Sequence, residues 1–149
     1  MHATSFETVQ RTTTFPVDRR RVFRAWTTPE ELKAWWRPGA YITKEVSIDL
    51  RVGGSYRIVM QHASGSIATV AGKYLHVEAP SRLVMTWVSE GGARDDGTES
   101  LLTVEFLDRG NSTELRLTHD HLSAGTGAGF DSGWTAVLTH LIAFCSNIE

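Results

Sequence analysis

At 149 residues the chain has the length of a single domain, about 100 to 150 residues being the commonest size. Fifteen basic against 17 acidic residues leave a formal charge of -2, which argues against a nucleic-acid footprint and against a polybasic membrane patch. No stretch approaches the ~20 apolar residues of a membrane span, and the one cysteine, Cys145, cannot form an internal disulfide.

Met1 to Gln10 lacks a hydrophobic signal core, so a soluble cytoplasmic protein is expected. Phe6 to Phe15 is rich in threonine and reads as a first strand, ended by Pro16. Asp18 is placed to cap a helix over Arg19 to Thr27, with Val22, Phe23 and Trp26 at helical spacing. Thr28-Pro29 repeats that start signal, and Leu32, Trp35 and Trp36 form the apolar side of a second short helix that Arg37-Pro38-Gly39 stops. One of the two adjacent tryptophans is expected to close the core and the other to sit near a cavity mouth.

From Ile42 the period changes to two. Val46, Ile48 and Leu50, then Tyr56, Ile58 and Met60, alternate with polar residues around the turn Val52-Gly53-Gly54. Further strands are expected over Ser66 to Val77, Arg82 to Ser89, Ser100 to Leu107 and Thr113 to His119. Glu90 to Thr98 is the longest polar loop and a candidate rim, and Leu122 to Gly129 reads as a flexible glycine-rich hinge. Phe130 to Ile148 is the final helix, with Trp134, Val137, Leu138, Leu141, Cys145 and Ile148 on one stripe.

The order of these elements carries a resemblance, together with Val22-Phe23-Arg24-Ala25-Trp26-Thr27, Pro29-Glu30, Leu32, Trp35-Trp36-x-Pro38, Asp49-Leu50-Arg51-Val52-Gly53-Gly54, Pro80-x-Arg82-Leu83, Thr86-Trp87 and Gly133-Trp134. Over nearly its whole length the chain resembles the family named for homology to the activator of heat-shock-protein-90 ATPase, within the START-like (SRPBCC) superfamily. The resemblance implies an α+β helix-grip fold: a curved antiparallel sheet of about seven strands, two short helices after the first strand, and a long C-terminal helix over the concave face. That superfamily shares a cavity rather than a set of catalytic residues.

Strand alternation then selects the side chains that face the cavity. Tyr56, Ile58, Met60 and His62 form one inward row, with Arg57 and Gln61 outward. Around Gly72 both parities are open, and with Lys73 pointing out, the preferred choice, Tyr74 faces in with Gly72 and His76; Met85 and Trp87 face in with Leu83, Leu102 and Val104 with Phe106, and Leu117 and His119 with Leu115. The final helix adds Trp134, Val137, Leu138 and Leu141. Such a lining suits a small hydrophobic molecule with one or two polar atoms, although Trp87 and Trp134 also fit a plain core role.

Chemistry is tested motif by motif. His119-Asp120-His121 would point both imidazoles to one side of a strand, but a third metal ligand at predictable spacing is missing, so no metal is expected. No cofactor-binding loop is recognised: Gly125-x-Gly127-x-Gly129 follows no buried parallel strand. Cys145 reads as an inert buried thiol. Acid–base catalysis would fall to His119 with Tyr74, and with Tyr56 and His62 as helpers; the competing reading makes His119 a satisfied histidine at a strand end. Three functions follow. They are binding of a small hydrophobic molecule, a cyclase- or dehydratase-type cavity enzyme, and an accessory factor that docks on a chaperone. A chaperone and a second copy of the chain are the protein partners left open.

Overall fold

The computed structural model describes residues 6–91 and 97–146. The centre of the loop read over Glu90 to Thr98, and Ile148 of the helical stripe, lie outside the described residues. The elements are β1 (Phe6–Phe15), α1 (Arg19–Thr27), α2 (Pro29–Trp35), β2 (Tyr41–Ile48), β3 (Ser55–His62), β4 (Ile67–Glu78), β5 (Arg82–Glu90), β6 (Ser100–Asp108), β7 (Thr113–Ser123) and α3 (Gly127–Ser146). The described strands form one seven-stranded sheet in the order β1-β7-β6-β5-β4-β3-β2, every neighbouring pair antiparallel. Strands β2 to β7 are thus a plain meander, and β1 pairs with its last member. The chain must cross from one sheet edge to the other between β1 and β2. Helices α1 and α2 make that crossing on the face that α3 covers, where Trp26 stacks on Trp134 at 6.1 Å. This is the α+β helix-grip architecture.

Local chemistry sets the crossing. The Asp18 carboxylate accepts from the Arg20 N–H at 2.8 Å and caps α1. Thr28 serves both helices through its backbone, not through the side-chain cap expected of it: its N–H donates to the Arg24 carbonyl and its carbonyl accepts from Leu32 N–H. The Trp35 indole donates to the Ala25 carbonyl at 2.9 Å, and Glu31 bonds both Arg21 and Arg24. These bonds fix α2 against α1 and place Trp36 at the end of the pair.

Bulges bend the sheet and correct the sequence reading in two places. The β4–β5 register slips between Tyr74 and His76, so Leu75 is the extra residue. Tyr74 points in, but His76 is exposed and Val77 takes the inward place. A second slip opposite Glu7/Val9 lies in β7, where His121 adopts a left-handed φ of 59°. His119 is therefore buried while His121 points to solvent, and the two do not share a side. Strand β7 continues to Ser123 through this bulge, with Leu122 inward again. Leu50, expected to extend the alternation of β2, lies past its end and is exposed.

Helix α3 starts three residues earlier than expected, at Gly127 instead of Phe130. The stretch before it is not a loose hinge. The Glu7 carboxylate of β1 accepts from Gly125 N–H at 2.8 Å and Gly127 N–H at 2.7 Å, the second being an amide that the first helical turn cannot pair internally. Arg11, two turns of the pleat farther along β1, pairs with Asp131 at 2.8 Å and bonds Thr135. Among the described residues no helix is long and apolar enough to cross a membrane.

Candidate functional site

The space between sheet and helices is filled at one end and hollow at the other. At the filled end Phe15, Trp35, Phe106, Leu115 and Leu141 are fully buried. The hollow end holds a part-open cavity of about 370 Å³. Its floor is Met60 and His62 of β3, Ala68 and Val70 of β4, and Trp87 and Ser89 of β5; its sides are Trp36 with the 38–41 loop, and Phe130, Trp134 and Val137 of α3. Small residues create the room. Gly129, Gly133 and Ala136 follow each other at helical spacing along the wall that α3 presents, and a Cβ placed on Gly133 would meet nothing within 4 Å.

The indole N–H groups of the walls are engaged within the protein. The Trp36 indole donates to Met60 Sδ at 3.3 Å, the Trp87 indole to Ser89 Oγ at 3.1 Å, and the Trp134 indole to His119 Nδ1 at 3.0 Å. Three indoles thus offer the cavity ring surface and not an N–H. Among the described residues no Lys, Arg, Asp or Glu lines it.

Of the residues selected by strand parity and by the stripe of the final helix, the structure brings Met60, His62, Trp87, Trp134 and Val137 to this cavity. Tyr56, Ile58, Tyr74, Met85 and Leu102 gather instead around a separate void of about 20 Å³, room for little more than a water molecule. Val104, Leu117, Leu138 and Leu141 are packed in the core and border neither space. Parity identifies the concave face correctly but does not say which end of that face is filled. The missed lining residues, Trp36 apart, come from the α2–β2 loop with Tyr41, from β4 (Ala68, Thr69, Val70), from the end of β5 (Ser89, Gly91) and from Phe130 and the small positions of α3. The Gly129, Gly133, Ala136 spacing was the available signal.

His119 is fully buried and stands behind Trp87 and Trp134, their ring centroids 5.0 and 5.9 Å away. An indole N–H can only donate, so Nδ1 is the acceptor and the imidazole proton sits on Nε2. Nε2–H then donates to Ser100 Oγ at 2.7 Å, and the Ser100 hydroxyl donates to the Trp87 carbonyl at 3.3 Å. A Ser–His pair with this polarity cannot activate its serine, because the imidazole has no lone pair facing the hydroxyl. His119 is thereby a satisfied structural histidine that ties β7, β6, β5 and α3 together, and it does not line the cavity. Among the described residues no three His, Cys, Asp or Glu side chains converge on a metal position.

Burial raises the Tyr56 and Tyr74 phenols well above their ordinary value of 10.0, which keeps both neutral. The Tyr56 hydroxyl donates to the Thr86 carbonyl at 2.6 Å. Glycine at position 72 is required there, since a Cβ would lie 1.9 Å from that carbonyl oxygen. The Cys145 thiol is buried and pushed up to about 11, which makes it a poor nucleophile.

A family model described as Activator of Hsp90 ATPase homolog 1-like protein matches residues 16–145. No curated protein matches the chain. Among solved structures, protein CV1439 from Chromobacterium violaceum aligns with a TM-score of 0.85 at 23% identity, over 95% of this chain and 98% of that one. Protein NE0264 from Nitrosomonas europaea gives 0.78 at 24%, over 92% of each chain. Mll3558 from Rhizobium loti gives 0.79 at 24%, over 96% of this chain and 99% of its own.

Proposed function

The chain belongs to the Activator of Hsp90 ATPase homolog 1-like family, and from that premise we propose that it binds a small, largely apolar molecule in the cavity between β3–β5 and α3. The observation that carries this reading is the cavity itself: about 370 Å³ of room, walled by tryptophan and phenylalanine faces, in a protein whose other end is packed solid. That volume lies at the small end of the roughly 300 to 1,000 Å³ of ligand pockets. Unfilled apolar space forfeits the contacts a close-packed interior would make, and an occupant recovers them. The His119 hydrogen bonds favour binding over proton transfer, because they withdraw that imidazole from the cavity.

Gly133 provides the test. Its Cβ position is open and it lies mid-helix on the cavity wall. Gly133→Leu should therefore fill the hollow and stabilise the fold by about 1 kcal/mol or more, since glycine costs roughly that much inside a helix. The same variant should lose binding of the neutral fluorescent probe N-phenyl-1-naphthylamine, which the native protein should take up. Binding that survives in the stabilised variant, or a native protein that never binds the probe, would defeat the reading.

A further inference from the structure

The hydrogen bonds around the cavity go beyond an apolar hollow and define the chemistry of its occupant. His62 ends β3 at the rim, across the β2–β3 ladder from Tyr41, whose ring packs edge-on against it at 4.9 Å. Its Nδ1 accepts the backbone N–H of Ser64 at 3.1 Å, with the Ser64 hydroxyl 3.0 Å away. A backbone N–H has no other role than donor, so the neutral ring carries its proton on Nε2. Among the described residues Nε2 has no hydrogen-bond partner, although the β3–β4 turn holds the ring in place. His62, which lines the hollow, thus carries an N–H donor that no described residue uses, while the three wall indoles have spent theirs within the protein.

We propose that the occupant is a neutral, flat aromatic molecule bearing one carbonyl-type acceptor, oriented by the Nε2–H of His62. This rests on the cavity-binding reading above and adds three terms to it. Flatness and aromaticity follow from the wall: the rings of Trp36, Trp87, Phe130 and Trp134 surround the space, and rings gain from edge-on and offset contact with another ring beyond simple burial. Neutrality follows from the lining, which among the described residues has no Lys, Arg, Asp or Glu to compensate a charge stripped of water. The acceptor follows from His62. A ligand lacking one would cover the imidazole N–H and leave it unpaired, whereas a carbonyl oxygen would satisfy it.

Three probes of one shape separate these terms: 2-acetylnaphthalene, 2-ethylnaphthalene and 2-naphthoate, titrated at pH 8 by calorimetry against native protein and His62→Phe. Phenylalanine keeps the ring contact with Tyr41 and removes the donor. The ketone should bind native protein roughly fivefold or more tighter than the hydrocarbon, the yield of one net hydrogen bond, and the carboxylate should bind more weakly than the ketone. In His62→Phe the ketone-to-hydrocarbon ratio should fall to about one. Equal binding of ketone and hydrocarbon to native protein, a ratio that survives the substitution, or a carboxylate that binds as well as the ketone overturns this inference and leaves the cavity reading standing. If none of the three binds, the cavity reading falls and takes the inference with it. Should His62→Phe fail to fold, His62→Leu replaces it with the same two outcomes.

Discussion

Tyr56 and Tyr74 sit with ring centroids 5.5 Å apart beneath α2, and burial raises both phenols, each above the 10.0 of an exposed tyrosine. An acid whose folded value is raised contributes its stabilisation fully below the unfolded value and loses it as pH climbs from there toward the folded one. The two phenols should accordingly leave stability unchanged from neutral pH to about 10 and lower it above that, as the unfolded chain sheds phenolic protons that the folded chain keeps, in addition to the decline that the raised Cys145 thiol begins near 9. Tyr74→Phe removes one of the two contributions and should make the alkaline decline visibly shallower, read from urea midpoints between pH 8 and 11; an unchanged slope would show that the buried phenols are not its source. At this scale the sequence was readable in direction but not in depth. Alternation turned His119, Tyr56 and Tyr74 inward correctly, yet it could not show that Trp87 and Trp134 stand between the imidazole and the cavity. Nor could it show that a wall indole fixes the tautomer. Both depend on rings brought together from β5, β7 and α3, separated by long stretches of chain.

At the scale of elements, the N-terminal half of α3 is held from one side and free on the other. Glu7 and Arg11 of β1 grip it through Gly125, Gly127, Asp131 and Thr135, while Gly129, Gly133 and Ala136 face the hollow. Hydrogen bonds from Gly125 and Gly127 hold the Glu7 carboxyl below its usual 4.5. A depressed carboxylate stabilises above the unfolded value and ceases to as pH falls through the folded one, so the clasp should open on acidification below about 4.5 and not on alkalinisation. Glu7→Gln should raise amide exchange at residues 125–130 at pH 6, because one amide oxygen replaces two charged acceptors, and should abolish the further acceleration seen in native protein at low pH. Identical exchange in both proteins, after correction for intrinsic rates, would remove Glu7 from this role. Strand and helix boundaries were legible wherever a local signal marked them: Pro16 after β1, Asp18 before α1, Pro29 in α2. They were not legible where pairing partners decided them. The bulges at Leu75 and His121 are set by register with β5 and β1, and the early start of α3 by a carboxylate 118 and 120 residues away in sequence.

For the whole molecule, the crossing of α1 and α2 is what divides a single concave face into two unlike ends. Trp26 and Trp35 carry their rings to the β6 side, where Trp26 packs edge-on to Phe106 at 6.4 Å, whereas Trp36 stops against Met60 and leaves the space beyond it open. Packing energy should therefore be distributed unevenly along the sheet. Val104 and Val70 allow a matched comparison: both are inward strand residues, 0% and 4% exposed, but Val104 is enclosed on all sides while Val70 borders the cavity. Truncating the enclosed side chain loses its transfer free energy and leaves a new void that its neighbours cannot close; truncating the other only enlarges a void that exists. Val104→Ala should cost about 2 to 3 kcal/mol and Val70→Ala about half of that, measured as shifts of the urea midpoint at constant m-value. Adding a saturating cavity ligand should then widen the gap between native protein and Val70→Ala, since the occupant supplies the partner atoms that Val70 touches, and should leave the cost of Val104→Ala unchanged. Equal costs without ligand would mean that the hollow end is collapsed in solution, and a ligand-dependent cost at Val104 would mean that the two ends are not independent.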